Sequence, residues 1–204
     1  MVQSQFKLLP VLLCVVAVVL VWSGWHPFDR TTWWMEVAPV FIVLPILFFT
    51  YPKHQLTNFL YAWIAVHAVV LMVGGAYSYA RVPLGFWLQD VLGATRNPYD
   101  KIGHLMQGLV PALVIRELFI RQRWATQKWV ANFAAVCFSL SVSLIYELIE
   151  WAAAVALGQG ADEFLGTQGD VWDTQSDMLM ALIGALIAVF VLRFWHDKYI
   201  RQKR

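Results

Sequence analysis

The chain has 204 residues, 60% of them hydrophobic and only 14% charged, with a formal net charge of +2. A water-soluble domain of this size cannot hide so much apolar surface, and a mean hydropathy of +0.60 places the chain in a bilayer. So small a net charge gives no footing for nucleic acid; the partners this composition leaves are membrane lipids and lipid-linked molecules, with the oligomeric state open.

Six apolar segments follow in chain order, residues 6–24, 33–50, 56–76, 100–120, 129–157 and 174–195, each near the ~20 residues needed to cross the hydrocarbon. The first begins like a signal peptide, with Lys7 before an apolar run to Trp22. Ser23-Gly24-Trp25-His26 is a poor small-residue cleavage site, so the segment reads as a retained helix. The second carries Pro39 and Pro45, which predict a kink. Residues 77–99, with Pro83, Gly85, Gly93 and Pro98, read as an interfacial loop holding one short helix. The fifth segment is long enough to tilt or project. Residues 158–172 carry Gly158, Gly160, Gly166 and Gly169, and within them Gly166-Thr-Gln-Gly-Asp170 reads as a tight turn that delivers Asp170 and Asp173 to one site. The fold expected is all-α: a single integral membrane domain over residues 1–204, a bundle of about six transmembrane helices. Cys14 and Cys137 fall in apolar segments and read as buried thiols rather than a disulfide.

Charge sets the expected orientation. With the N-terminus inside, the inner segments hold 11 of the 15 Lys and Arg, and the outer ones hold Arg30, Arg81, Arg96 and Lys101. The positive-inside rule then places both termini in the cytoplasm. Trp33, Trp34, Tyr77, Trp129 and Trp195, at segment ends, suit the interfacial belts.

The informative residues are acids inside these segments. Asp100 and His104, Glu147 and Glu150, and Asp173 and Asp177 form pairs at i,i+4 or i,i+3, so each pair shares one helix face. All three pairs fall in the outer half of the membrane: His104 about 6 Å in from Asp100, Asp177 about 6 Å in from Asp173, and Glu150 and Glu147 about 10 and 15 Å below the outer end of their helix. Ionisable groups at such depth are costly and default to a functional hypothesis. Clustered acids also repel, so they need protons, cationic partners or a metal. Asp100, His104, Glu147, Glu150, Asp173 and Asp177 are therefore candidate ligands for a divalent metal ion, with Glu147, Glu150 and His104 the candidate catalytic acid or base groups. A plainer reading stands beside this one. Asp100 and Asp173 sit where an acid caps a helix start, and Arg96 and Lys101 are placed to neutralise them. His67 reads as an interior histidine, Glu117 with Arg116, Arg121 and Arg123 as a solvated inner rim, and His196-Asp197 as surface.

Three ordered motifs carry a resemblance. Asn97-Pro-Tyr-Asp-Lys-Ile-Gly-His104 with Gln107-Gly108, Tyr146-Glu-Leu-Ile-Glu-Trp151, and Phe164-Leu-Gly-Thr-Gln-Gly-Asp-Val-Trp-Asp-Thr-Gln-Ser-Asp177 closely resemble the YjdF-like family of bacterial inner-membrane proteins, over nearly the whole chain. That resemblance implies a multi-pass inner-membrane protein and no settled activity. Asp100-Lys101-Ile-Gly-His104, Glu147 and Asp177 with Gly184 are also similar, more weakly, to the VanZ-like family, associated with glycopeptide-antibiotic resistance. Glu150 stands where that pattern carries Gln or another polar residue. Three functions fit these residues: a metal-dependent enzyme on a lipid or lipid-linked envelope substrate, an ion- or proton-coupled transporter, and a non-catalytic protein with a structural polar network.

Overall fold

The computed structural model describes residues 2–157 and 168–203. Its elements are α1 (Val2–Trp25), α2 (Arg30–Thr50), α3 (Asn58–Ala76), α4 (Pro83–Leu92), α5 (Tyr99–Arg121), α6 (Lys128–Leu157) and α7 (Asp173–Leu186). A π-helical stretch, Ile187–Leu192, then joins α7 to α8 (Arg193–Gln202). Among the described residues six helices are long and apolar enough to cross a membrane: α1, α2, α3, α5, α6 and the continuous run Asp173–Gln202. The short interfacial helix expected between the third and fourth spans is α4.

Local chemistry explains the boundaries. Asp29 caps α2 by accepting the Thr32 N–H at 2.7 Å, a bond that holds its carboxyl below the usual range. Thr57 caps α3 through the Leu60 N–H. Pro83 opens α4, and Gly93, at φ +63°, closes it in the left-handed conformation a side chain disfavours.

α5 is the most enclosed span; it packs against α3, α6 and α7, while α3 ties α1 and α2 to the bundle. The tightest seam is α5 on α7. A Cβ on Gly108 would lie 1.8 Å from the Ala181 carbonyl oxygen, and one on Gly184 would lie 2.0 Å from that of Leu105. Ala181, Ala185 and Ala188 are fully buried alongside. Lipid offers no hydrophobic drive between helices, so this backbone-to-backbone fit has to come from small residues. The two helices run in the same direction, so their starts, with Asp100 and Asp173, come to one end of the bundle.

At the other end the sequence reading needs correction. Glu117 and Arg116 are not a solvated rim, and His196 is not surface: all three are buried. Both Glu117 oxygens are engaged, Oε1 by the Thr57 N–H (2.8 Å) and Arg121 Nη1 (2.8 Å), Oε2 by Thr57 Oγ1 (2.7 Å) and His196 Nε2 (2.9 Å). Arg116 donates to Asn132, to His196 Nδ1 and to Asp197, which also accepts from Lys128. Because arginine only donates, His196 Nδ1 is the acceptor, and its N–H is at Nε2, aimed at Glu117. This network satisfies its charges and pins α8 to α3, α5 and α6. The chain had to bury it because the continuous helix brings His196 back beneath Glu117, a contact 79 residues apart in sequence.

Two further corrections follow from exposure. Cys14 and Cys137 are free, as expected, but lie on the outer surface of the bundle. Trp33 is buried, its indole N–H donating to Ser23 Oγ at 3.1 Å, whereas Trp34 is exposed. Gly158, Gly160 and Gly166 of the segment 158–172 lie outside the described residues.

Two measurements check these assignments. Gly108→Val is expected to force α5 and α7 apart and cost at least about 2 kcal/mol, seen as a lower melting temperature in detergent, while lipid-facing Ile42→Val stays near wild type. Glu117→Gln is expected to destabilise by about 3 kcal/mol, because it removes the acid that offsets buried cations.

Candidate functional site

The three acid-bearing helices predicted from sequence do converge. The start of α5 supplies Asp100, Lys101 and His104; the C-terminal half of α6 supplies Tyr146, Glu147 and Glu150; the start of α7 supplies Asp173, Ser176 and Asp177. Asp173, Asp177, His104 and Glu147 are buried, and Asp100 and Glu150 partly so.

His104 is the hub. Its Nε2 lies 3.4 Å from Asp100 Oδ1 and 3.9 Å from Asp177 Oδ1; its Nδ1 lies 3.1 Å from Gln107 Oε1 and 3.7 Å from Glu147 Oε1. Asp100, His104 and Asp177 each offer a ligand atom, all within 4.8 Å of one another. In a tetrahedral site with bonds of roughly 2.0–2.1 Å, ligand atoms sit about 3.3 Å apart, so this trio needs only small adjustments to hold a cation. Glu147 Oε1 is buried with no hydrogen-bond partner among the described residues. A buried acceptor left bare costs about 1–3 kcal/mol, more when charged, and calls for an explanation.

The site has two unlike walls. On one, cations hold the acids: Arg96 pairs with Asp173 and, at 3.1 Å, with Asp170, while Lys101 Nζ lies 2.8 Å from Asp173, 2.7 Å from Asp177 and 2.6 Å from Ser176 Oγ. Burial of Arg96 opposes its charge, yet the bond from Asp173 and the fields of Asp173, Asp170 and Asp100 outweigh it, and its pKa is raised. The capping positions are Pro98 and Trp172, which make no side-chain capping bond, while Asp100 and Asp173 stand in the first turn of their helices, where the dipole favours an acid. On the other wall stand Glu36, Asp100, Glu147 and Glu150, which no lysine or arginine ion pair reaches among the described residues.

Against the second wall lies a cavity of about 20 Å3 lined by Glu36, Tyr79, Asp100, His104, Gln107, Tyr146 and Glu150, with Leu71 and Gly103. That is room for one water-sized group.

Sequence reading missed Glu36, Tyr79 and the role of Tyr146. Glu36 is buried and accepts from Tyr146 Oη at 2.8 Å. Its signal was present, a lone acid in the apolar segment 33–50. Tyr79 gave none. Ser78 and Tyr79 adopt left-handed φ values of 50° and 46° after α3, which fold the ring back over Gly74 and Gly103. At Gly74 a Cβ would meet that ring at 2.4 Å. Only the folded chain reveals such a turn. His67 and Glu117 stand outside this site; Asp170 joins it through Arg96.

The family model described as "Predicted membrane protein (DUF2238)" matches residues 8–198. The inner membrane protein YjdF of Escherichia coli (strain K12) is 51% identical over 187 residues, covering 92% of this chain and 90% of that one. No solved structure matches. The weaker VanZ-like likeness is not carried by these matches. With six spanning helices and this kinship, the protein is a multi-pass inner-membrane protein, and the chain belongs to the DUF2238 family of membrane proteins.

Proposed function

We propose that this protein is a metal-dependent enzyme acting on a lipid or lipid-linked substrate in the outer half of the inner membrane. The observation that carries the reading is a ligand trio beside a buried base: Asp100, His104 and Asp177 within 4.8 Å, and Glu147 Oε1 3.7 Å from the imidazole with no hydrogen bond among the described residues. Carboxylate and imidazole donors suit Zn2+, Mn2+ or Fe2+. A bound ion supplies a Lewis acid and an acidic water.

The protein groups divide the remaining work. Asp100, His104 and Asp177 hold the cation. Glu147 is the general base, its Oε1 held 3.7 Å from His104 Nδ1 with no hydrogen bond among the described residues. Lys101 and Arg96 fix the orientation of Asp177 and Asp173, so that the ligand carboxylate does not swing. Glu150 and Glu36 complete the acidic wall. The substrate class follows from depth: the cavity is framed by spanning helices, so a reactant reaches it from the bilayer.

Purified protein is expected to bind one Zn2+ or Mn2+ per chain by isothermal titration, and Asp177→Asn and His104→Ala to weaken that binding at least about 100-fold. Elemental analysis and titration that find no stoichiometric metal overturn the reading.

We also propose that both termini are cytoplasmic, which places the acid cluster toward the outer leaflet and the Glu117–His196 network toward the inner one. The Lys and Arg distribution supports this orientation. In a cysteine-free background, Asp90→Cys on α4 is expected to react with a membrane-impermeant maleimide in intact spheroplasts, and Thr126→Cys only after lysis. The reverse pattern inverts the topology.

A further inference from the structure

A second cavity, of about 640 Å3, shares no lining residue with the one beside His104. Its long wall is one face of α1, where Ala17, Val21 and Trp25 follow at i, i+4 and i+8 with Trp22 alongside. Ala76 and Tyr77, at the end of α3, form the facing wall, and the rings of Trp22 and Tyr77 approach with centroids 6.1 Å apart. α1 is the least enclosed of the six spans and packs on α3, so this face of α1 meets hydrocarbon. From Ala17 to Trp25 the groove runs about 12 Å along the helix, most of the ~15 Å depth of one leaflet. Polar groups gather at its Trp25 end. There Arg30 donates from Nη1 to the Gly24 carbonyl and from Nη2 to the Trp25 carbonyl, which leaves the guanidinium with three further N–H groups. Among the described residues no carboxylate pairs with Arg30, and the adjacent Asp29 accepts from the Thr32 N–H. The His26 ring stands on the same rim, and the indole N–H groups of Trp22 and Trp25 have no acceptor among the described residues.

We propose that this groove holds one acyl chain of an anionic phospholipid, with the headgroup phosphate on Arg30. The inference rests on neither the metal nor the proposed substrate. Shape and direction select a lipid chain. The groove follows α1 from its end toward mid-membrane, as a chain anchored at that surface does, and its volume falls in the ~300–1,000 Å3 range of sites that enclose a small ligand. Apolar contact alone does not distinguish one lipid from another, because bulk hydrocarbon is as apolar as the groove. Selection comes from the mouth, which is rich in donors and carries an arginine whose planar fork matches a phosphate. The indole N–H groups suit the ester and phosphate oxygens just below, as interfacial tryptophans do. A zwitterionic head brings an ammonium beside Arg30, where the adjacent carboxylate, Asp29, is already engaged. An anionic head brings no such repulsion.

The test is lipid retention. Full-length protein is placed in nanodiscs of equal parts phosphatidylglycerol and phosphatidylethanolamine with identical acyl chains, then released into native mass spectrometry. The wild type is expected to retain one phosphatidylglycerol per chain, about tenfold over phosphatidylethanolamine. Arg30→Gln, folded by its melting curve, is expected to retain the two alike. Ala17 is exposed on the groove wall, so Ala17→Phe fills the groove without touching Arg30. That variant is expected to cut phosphatidylglycerol retention about tenfold at an unchanged melting temperature. Equal retention, or a phosphatidylethanolamine preference, in the wild type overturns the inference. So does a phosphatidylglycerol preference that persists in either variant, which assigns the lipid to another basic surface such as the C-terminal residues. If Arg30→Gln fails to fold, Ala17→Phe decides by the same readout.

Discussion

The backbone contact between α5 and α7 is the constraint on which the rest depends. Two glycines, Gly108 and Gly184, let the helices touch main chain to main chain, and no side chain fits at either point. Once that register is set, Lys101 must meet Asp173 and Asp177, and His104 must lie near Asp177. The polar site is therefore a consequence of apolar packing. Its geometry is set by the seam below it, because the acids, left to themselves, would repel.

Charge compensation divides the polar residues into two kinds. Around Glu117 each carboxylate oxygen is matched by donors, and Arg116, His196 and Asp197 close a network that holds the last helix in place. Among the described residues the same accounting at the opposite end does not close. Arg96 and Lys101 are committed to Asp170, Asp173 and Asp177, and four other carboxyls share the neighbourhood of one imidazole. A saturated network is explained by folding. An unsaturated one, buried at such cost, is explained by what it receives. The two ends lie about 18 Å apart along α5, measured from His104 to Arg116, so one helix carries both the anchor and the site.

The bundle itself was legible, because spans in lipid must be long, apolar and helical, and those requirements are written in runs of residues. Asp100, His104, Glu147, Glu150, Asp173 and Asp177 were legible as a group for a similar reason: helical spacing fixes faces, and a chain that crosses back and forth brings the starts of α5 and α7 and the end of α6 to one end of the bundle. What could not be read was which polar residues at the ends turn inward. Glu117 and His196 look like a surface rim in sequence, and only the path of the final helix brings them together. Tyr79 enters the site through two left-handed residues that follow no local pattern. Glu36 was visible, yet its partner Tyr146 stands 110 residues away, and nothing short of tertiary structure joins them.

The central claim is that the acid cluster at the start of α5 is built around a missing positive charge, taken up by a metal ion at Asp100, His104 and Asp177. Its most direct measurement is anomalous scattering from crystals of the protein grown with Mn2+ or Zn2+. A peak within coordination distance of His104 Nε2 and of carboxylate oxygens from both Asp100 and Asp177 is the result expected. A well-ordered site with no anomalous peak, in which Lys101 alone occupies the space against Asp177, contradicts it.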